Sequence, residues 1–298
     1  MNIIVCIKQV PDVEGRVVVE KGAISVKALV PGDVLSSLDA YAVDAALSLR
    51  DKAGGMATLV SIGKDSAAEC LRHGLAMGAD EALLVSDASL SAADSATRAL
   101  VLSKVIAGMG EDGDRLVICG QRSDDMQAGI MGACLAQLLG TAAVRNVVGA
   151  ELPKPAPGTA QVLRLTRKLE KGNREIVECG LPAVLSIEAG ERKPRHTTVR
   201  GVLRARQAVI RTVTLQELGI TPEDIGQATR VKVLSVSPPK PKMKGLFVPD
   251  AKMTAADKMK AIMGGGLVQK KSNVLEGDPE KIADQVVQFF KKEKLIQP

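Results

Sequence analysis

Short β-branched runs alternate with longer stretches of helical period through the first half of the chain. Runs at 3–7, 57–62, 82–86 and 115–119 read as strands, and 38–53, 65–77, 92–108 and 125–139 read as helices. Repeated strand–helix units of this kind predict an α/β fold with an open, mostly parallel sheet flanked by helices. In 38–53 the residues Leu38, Ala42, Ala45, Ala46 and Leu49 share one stripe, and Asp39 and Asp44 fall off it. Two later runs, 162–167 and 182–187, are separated by a polar turn through Lys171, Gly172 and Asn173 and are expected to complete the same sheet. The Pro-rich piece at 151–158 breaks the pattern and marks a turn or a subdomain edge.

After about residue 189 the periodicity is lost. The segment 189–206 carries Arg192, Lys193, Arg195, His196, Arg200, Arg204 and Arg206 and is expected to form an exposed basic loop. Residues 237–242, with three prolines, predict an extended tether. In the last twenty residues Ile282, Val286, Val287 and Phe290 share one face of an amphipathic helix. The expected organisation is therefore a domain over 1–237 and an extended C-terminal arm over 238–298. That arm needs a surface to dock on, its own domain or a partner.

The chain has 298 residues, 46% of them hydrophobic, enough for a sizeable core. Three Phe, one Tyr and no Trp make that core aliphatic. So few rings also argue against a groove that stacks single-stranded bases. The net charge of +6 is uneven: residues 1–150 hold 13 basic and 18 acidic side chains, and residues 151–298 hold 27 and 16. A basic half fits a solvated face, a polyanion or an acidic protein, and charge alone does not choose. Five cysteines without a C-x-x-C pair, and only His73 and His196 beside them, predict reduced thiols, no metal site and a cytoplasmic compartment. No apolar run is long enough for a transmembrane segment, and the opening run at 3–7 is too short for a secretory signal.

A G-x-G-x-x-G occurs at 108–113, but it follows a helix and precedes a strand. Dinucleotide binding needs the reverse order, so this is read as a turn. No P-loop, nucleophile elbow or H-E-x-x-H occurs, and no nucleophile–base pair stands out. Two strand ends carry more information. Residues 59–65 close on Gly63 and residues 116–125 close on Gly120, each ahead of a helix. The carboxyl ends of parallel strands form the ligand crevice of open α/β sheets, and helix starts attract phosphate. The pair reads as a nucleotide seat. The alternative is plain turn chemistry for Gly63 and Gly120, with Ser123 or Asp124 as an N-cap. Asp124 and Asp125 are better solvated caps than a Mg²⁺ site, since no further oxygen ligands accompany them.

Gly120-Gln121-Arg122-Ser123-Asp124-Asp125-Met126-Gln127-Ala128-Gly129 resembles the adenine-nucleotide loop of the electron transfer flavoprotein β subunit family. Three further segments agree in order. Residues 5–10 resemble that family's opening strand. Residues 167–175, followed by Leu181-Pro182-Ala183-Val184, resemble its signature turn and strand, and residues 194–206 resemble its partner-recognition loop. The likeness spans about residues 1–245.

The resemblance implies a fold like that of the adenine-nucleotide α-hydrolases. It implies a heterodimer with an electron transfer flavoprotein α subunit that carries the redox FAD. This subunit would hold AMP or, in bifurcating relatives, a second FAD. Electrons would come from acyl-CoA or other dehydrogenases and pass to a respiratory or other acceptor, with the chain a carrier rather than a catalyst. The nucleotide is expected at Cys6, at Ser36, Ser37, Leu38 and Asp39, at Ile62 and Gly63, and along 120–128. Val13 and Leu38 would approach the α-subunit flavin. Val199 would anchor in dehydrogenases, with Arg195, Arg200 and Arg204 beside it. The chain departs from the family in a shorter 120–129 loop, in Ser36-Ser37-Leu38 where relatives carry Asn-Pro-Phe, in Lys64 after Gly63 where a proline is usual, and in a longer stretch over 246–298. The competing reading from another class is an adenine-nucleotide hydrolase or RNA-modifying enzyme whose basic half binds RNA.

Overall fold

The computed structural model describes residues 1–12, 17–18, 27–28, 33–110, 115–153, 162–190, 192–234, 254–256, 258–259 and 278–292. The chain divides into two units, Met1–Pro238 and Pro239–Pro298. In the first, the strands are β1 (Asn2–Cys6), β2 (Gln9–Pro11), β3 (Val17–Val18), β4 (Lys27–Ala28), β5 (Asp33–Leu35), β6 (Met56–Ile62), β7 (Glu81–Val85), β8 (Arg115–Gly120), β9 (Ala142–Glu151), β10 (Val162–Lys168), β11 (Arg174–Gly180), β12 (Ala183–Ile187) and β13 (Arg211–Val213). The helices are α1 (Ser37–Ala53), α2 (Ala68–Met77), α3 (Ser95–Ala107), α4 (Met131–Leu139), α5 (Val199–Gln207) and α6 (Pro222–Ala228).

Nine strands form one sheet in the order β11-β10-β9-β12-β8-β1-β6-β7-β13. From β9 to β13 all neighbours are parallel, and β10 and β11 add an antiparallel edge. The α/β expectation therefore holds, because strands such as Ile3-Ile4-Val5 are apolar on both faces and need helices on both sides. Ile3, Val5, Leu59, Leu116, Ile118 and Leu185 pack with residues of α1 and α2. Ile4, Val60, Val117 and Val184 pack with residues of α3 and α4 on the other side.

The chain runs from β1 to β6 to β7 in one direction, then returns through α3 to lay β8 on the opposite side of β1. Cys6 is in register with Val60 of β6 on one side and with Cys119 of β8 on the other. The crossover direction thus reverses at β1. The crevice outside the carboxyl ends of β1 and β8 is the topological switch point at which open α/β sheets bind ligands.

Several expectations change. The helix expected over 125–139 begins at Met131, because Gln127 (φ 49°) and Gly129 (φ 63°) lie in the left-handed region and hold 120–130 as a loop. The polar turn after β10 leads not to 182–187 but into β11, whose residues are mostly exposed and give no apolar alternation. The expected basic loop contains a helix, α5. Its buried face consists of Gly201 and Ala205, and a Cβ on Gly201 would collide with the Ala76 carbonyl oxygen of α2. Small residues make this crossing, so no bulky apolar period announces it. Asp39, off the expected stripe of α1, is buried.

At 108–110 the chain ends α3 and turns, with Gly110 at φ 96°; residues 111–114 lie outside the described residues. So do Val13, the tether at 237–242 and most of 246–298. In the second unit α7 (Pro279–Lys292) is described, with Val287, Phe289 and Phe290 exposed. Among the described residues no helix is long and apolar enough to cross a membrane.

Candidate functional site

Three segments separated in sequence meet at the switch point: the end of β1, the start of α1 and the loop after β8. Asp39, in the first turn of α1, knots them together. Its carboxylate accepts the Lys8 backbone N–H at 2.7 Å and the Gly120 backbone N–H at 3.1 Å. A side chain at Gly120 would strike that same carboxylate, so the strand must end in glycine for α1 to approach. Burial pushes the Asp39 pKa up to about 7, against the two amide hydrogen bonds that lower it; the Asp124 charge raises it further and Lys8 opposes. Desolvation wins because the group is nearly sealed from water.

Around this knot lie two more carboxylates. Asp124 accepts from the Ser37 N–H at 2.6 Å and the Ser37 hydroxyl at 2.7 Å, with the Ser36 hydroxyl at 3.4 Å. It therefore occupies the positive N-terminus of α1. Asp125 accepts from the Lys8 Nζ at 2.6 Å. Burial works to raise the Asp125 pKa, but the hydrogen bond from Lys8 and those from Ser123 and Met126 hold it below its usual range. Arg98, on α3, adds a guanidinium held by the carbonyl oxygens of Ala93 and Leu90, each at 3.1 Å. Burial lowers its pKa, and the nearby charge of Asp125 counters that.

The sequence suggested phosphate-binding amides at Gly63 and Gly120, and in the structure both N–H groups have partners within the fold. The Gly63 N–H donates to the Val85 carbonyl at 3.1 Å, the Gly120 N–H to Asp39, and the Gln121 N–H to the Ile187 carbonyl at 2.7 Å. These amides are used within the fold, as is that of Ser37. The helix start that stays available is that of α4, whose N-cap makes no side-chain hydrogen bond and whose first turn holds no acid. Gly132 seats α4 against the sheet, since a Cβ there would collide with the Ser186 hydroxyl and come within 3.2 Å of the Cys119 sulfur. Cys119 is level with Cys6, so α4 opens directly over the crevice. Arg145 braces the entry loop through the Gly129 carbonyl at 3.0 Å.

Of the other expected residues, Cys6 and Cys119 are buried. Burial first, then the Cys119 and Asp39 charges, pushes the Cys6 thiol up; burial, then the Asp39 charge, pushes that of Cys119 to about 12 despite the hydrogen bond with Ser186 that lowers it. They are neutral packing residues at physiological pH. Ser36 and Leu38 are buried, Ile62 closes β6 beside β1, and Arg122 pairs with Glu188 at 2.9 Å. Gln121 accepts the Asn146 N–H at 3.0 Å, and Gln127 donates its N–H to the Ser123 carbonyl at 3.1 Å. Met126 is exposed, and Ala128 stands between the two left-handed residues of the loop. Lys8, Arg98 and Glu188 were missed as site residues. Lys8 alone carried a signal, a cation directly after a buried strand.

The four expected partner residues separate. Val199 (79% exposed) and Leu203 (57% exposed) are one turn apart on α5 and share an outward face. Arg200 is exposed beside them. Arg204 donates to the Leu75 carbonyl at 3.3 Å. Arg195 is tied to α1 through Asp44 at 2.7 Å, Asp51 at 3.2 Å and the Ser48 hydroxyl at 3.2 Å, so it positions its own segment.

The α4 helix start, with no side-chain cap and no acid in its first turn, is a donor set that fits a phosphate group. Residues 28–218 match the family model described as "Electron transfer flavoprotein domain". The chain is 31% identical over 241 residues to the electron transfer flavoprotein subunit beta of Thermoanaerobacterium thermosaccharolyticum, covering 80% of this chain and 88% of that one. It is 29% identical over 308 residues to the subunit beta of Megasphaera elsdenii, covering 99% and 100%. It is also 33% identical over 243 residues to the caffeyl-CoA reductase-Etf complex subunit CarD of Acetobacterium woodii, covering 80% and 88%.

Proposed function

The chain belongs to the electron transfer flavoprotein family, and from that membership we propose that it is the β subunit of a heterodimeric electron transfer flavoprotein. It relays electrons as one half of a flavin-bearing pair. Its α subunit holds the redox FAD, and this subunit holds an adenine nucleotide, AMP, at the switch point between β1 and β8. The observation offered in support of the nucleotide assignment is the N-terminus of α4, which has no side-chain cap and whose Gly132 packs on Cys119 at the carboxyl end of β8, with Lys8, paired to Asp125, following β1.

The flavin supplies the electron chemistry when bound, and this chain supplies orientation and charge. Lys8 and the first turn of α4 hold the phosphate. The buried amides and carboxylates around Asp39 fix the spacing of β1, α1 and the 120–129 loop, so the seat does not depend on the nucleotide for its shape. The apolar pair Val199 and Leu203, with Arg200 alongside, is the face offered to a dehydrogenase. Rim charges of this kind act mainly on association rate and its salt dependence.

A second reading places FAD in the same crevice and gives the pair NADH-linked bifurcation. Its support is the 33% identity to a subunit of a caffeyl-CoA reductase-Etf complex. Both readings meet one test. The chain is co-expressed with its α subunit, the heterodimer is purified, and bound nucleotides are released by denaturation and quantified by chromatography. One FAD and one AMP per heterodimer is the expected result. Two FAD establishes the second reading, and a heterodimer with no nucleotide beyond the α-subunit FAD overturns the seat.

A further inference from the structure

A cavity of about 330 Å³ lies away from the crevice, between α1, α2 and the segment 193–197. Its floor is apolar: Ala40, Met77 and Pro194 line it. Around them stand Tyr41, His73 and His196. These are the chain's only tyrosine and its only two histidines, drawn from three segments far apart in sequence. Lys193, Arg195 and Thr197 complete the polar wall, and none of the lining residues is acidic.

The wall is built rather than incidental. Tyr41, Asp44, Ser48 and Asp51 follow one another at helical spacing along α1. The Arg195 guanidinium grips Asp44, Asp51 and Ser48, at 2.7 Å, 3.2 Å and 3.2 Å, and clamps 193–197 against α1. The clamp sets Arg195 against two carboxylates, of which Asp51 is also paired with Arg50 at 2.8 Å. Lys193 is left as a cation with no ion pair among the described residues, at the mouth of an apolar cleft whose remaining polar groups can all donate hydrogen bonds.

We propose that this cavity binds a carboxylate carried on a short apolar stem. The stem lies against Met77 and Pro194, and the carboxylate meets Lys193 with the imidazole and phenol donors around it. Two sources present that chemistry: a free short-chain acid, or a glutamate side chain of a protein seated on the adjacent Val199 face. The first is independent of the function proposed above, and the second rests on it.

The three rings make the test direct, because every histidine and tyrosine signal of the chain reports on this one cavity. The full-length chain, labelled with ¹³C at His and Tyr, is titrated with butyrate and, separately, with glutamate blocked as the N-acetyl methylamide. Butylamine hydrochloride serves as the control of like shape and opposite charge. The expected result is joint movement of all three ring signals along one saturation curve, with Kd on the order of 1–10 mM for so few atoms, and none with butylamine. Lys193→Met should weaken binding about tenfold with ring positions unchanged before titration. Tighter binding of butyrate assigns the free acid, and tighter binding of blocked glutamate assigns a docking protein's side chain. Rings that stay still, that answer butylamine equally, or that saturate with unchanged Kd in the Lys193→Met variant would overturn the proposal. Electron transfer activity does not enter the readout, so failure here leaves the nucleotide seat standing.

Discussion

Replacing Asp39 by asparagine tests the electrostatic core of the crevice. In the native state this carboxyl has a pKa raised from 3.8 to about 7, with burial the largest cause. At about 1.4 kcal/mol per pKa unit, ionising it in place costs roughly 4 kcal/mol relative to the unfolded chain. Below about pH 4 both states are protonated and the full contribution is present. Between there and about pH 7 the native state keeps a proton that the unfolded state has lost. Stability therefore declines as pH rises, and the contribution is gone above about pH 8. The Asp39→Asn change removes the titration. The single carbonyl oxygen of the amide accepts from only one of the Lys8 and Gly120 amides and leaves the other facing an NH₂, at a pH-independent cost of about 1–3 kcal/mol. The wild-type and Asp39→Asn stabilities should therefore converge or cross with rising pH, their difference changing by about 4 kcal/mol between pH 4 and pH 9. Urea unfolding of both proteins at matched pH values measures that difference, and most other groups cancel in it. A difference constant to within about 1 kcal/mol across the range would refute the claim that desolvation outweighs the two amide hydrogen bonds.

Gly132→Ala should destabilise by about 1–3 kcal/mol, because the new methyl group collides with Ser186. Gly226→Ala, in α6 with open space around it, should stabilise by about 0.5–1 kcal/mol, so thermal melts of the two should shift in opposite directions. Asp94 caps α3 through the Thr97 N–H at 2.8 Å and accepts the Arg230 and Val231 amides. Burial tends to raise its pKa, but these bonds outweigh it and hold the carboxyl well below the usual range. Asp94→Ala should cost about 1–2 kcal/mol at pH 7, and the wild type should lose that advantage as pH falls below the carboxylate range, which unfolding at pH 7 and pH 2.5 would show. Lys8→Met should cost less than about 1 kcal/mol of stability, since its pair with Asp125 is partly exposed. It should nevertheless lower nucleotide retention of the purified heterodimer about tenfold, measured by the same chromatographic release.

Local pattern alone specified β1, β6, β7 and β8, the helices α1 to α3 between them and the class of fold, but not the strands β2 to β5 or β9. Strands such as Ile3-Ile4-Val5 and Leu116-Val117-Ile118 must be buried on both faces, and the helical stripes between them supply the cover; both properties are local and periodic. The neighbourhood of the proposed nucleotide seat was legible for the same reason, because a glycine-closed strand end followed by a helix is a local pattern. The tertiary structure decided which amides are free. Asp39 and Asp124 lie more than eighty residues apart yet commit their oxygens to amides at the same crevice, and no local period encodes that competition. It also decided that β8 returns to the far side of β1, which makes a crevice from what would otherwise be consecutive strands. The α5 crossing and the cavity beside 193–197 escaped the sequence because they depend on absence of bulk, at Gly201 and Ala205, and on three rings brought together from residues 41, 73 and 196. Periodicity reports which residues leave water, whereas contact between distant segments depends on shape, and shape exists only once the chain has folded.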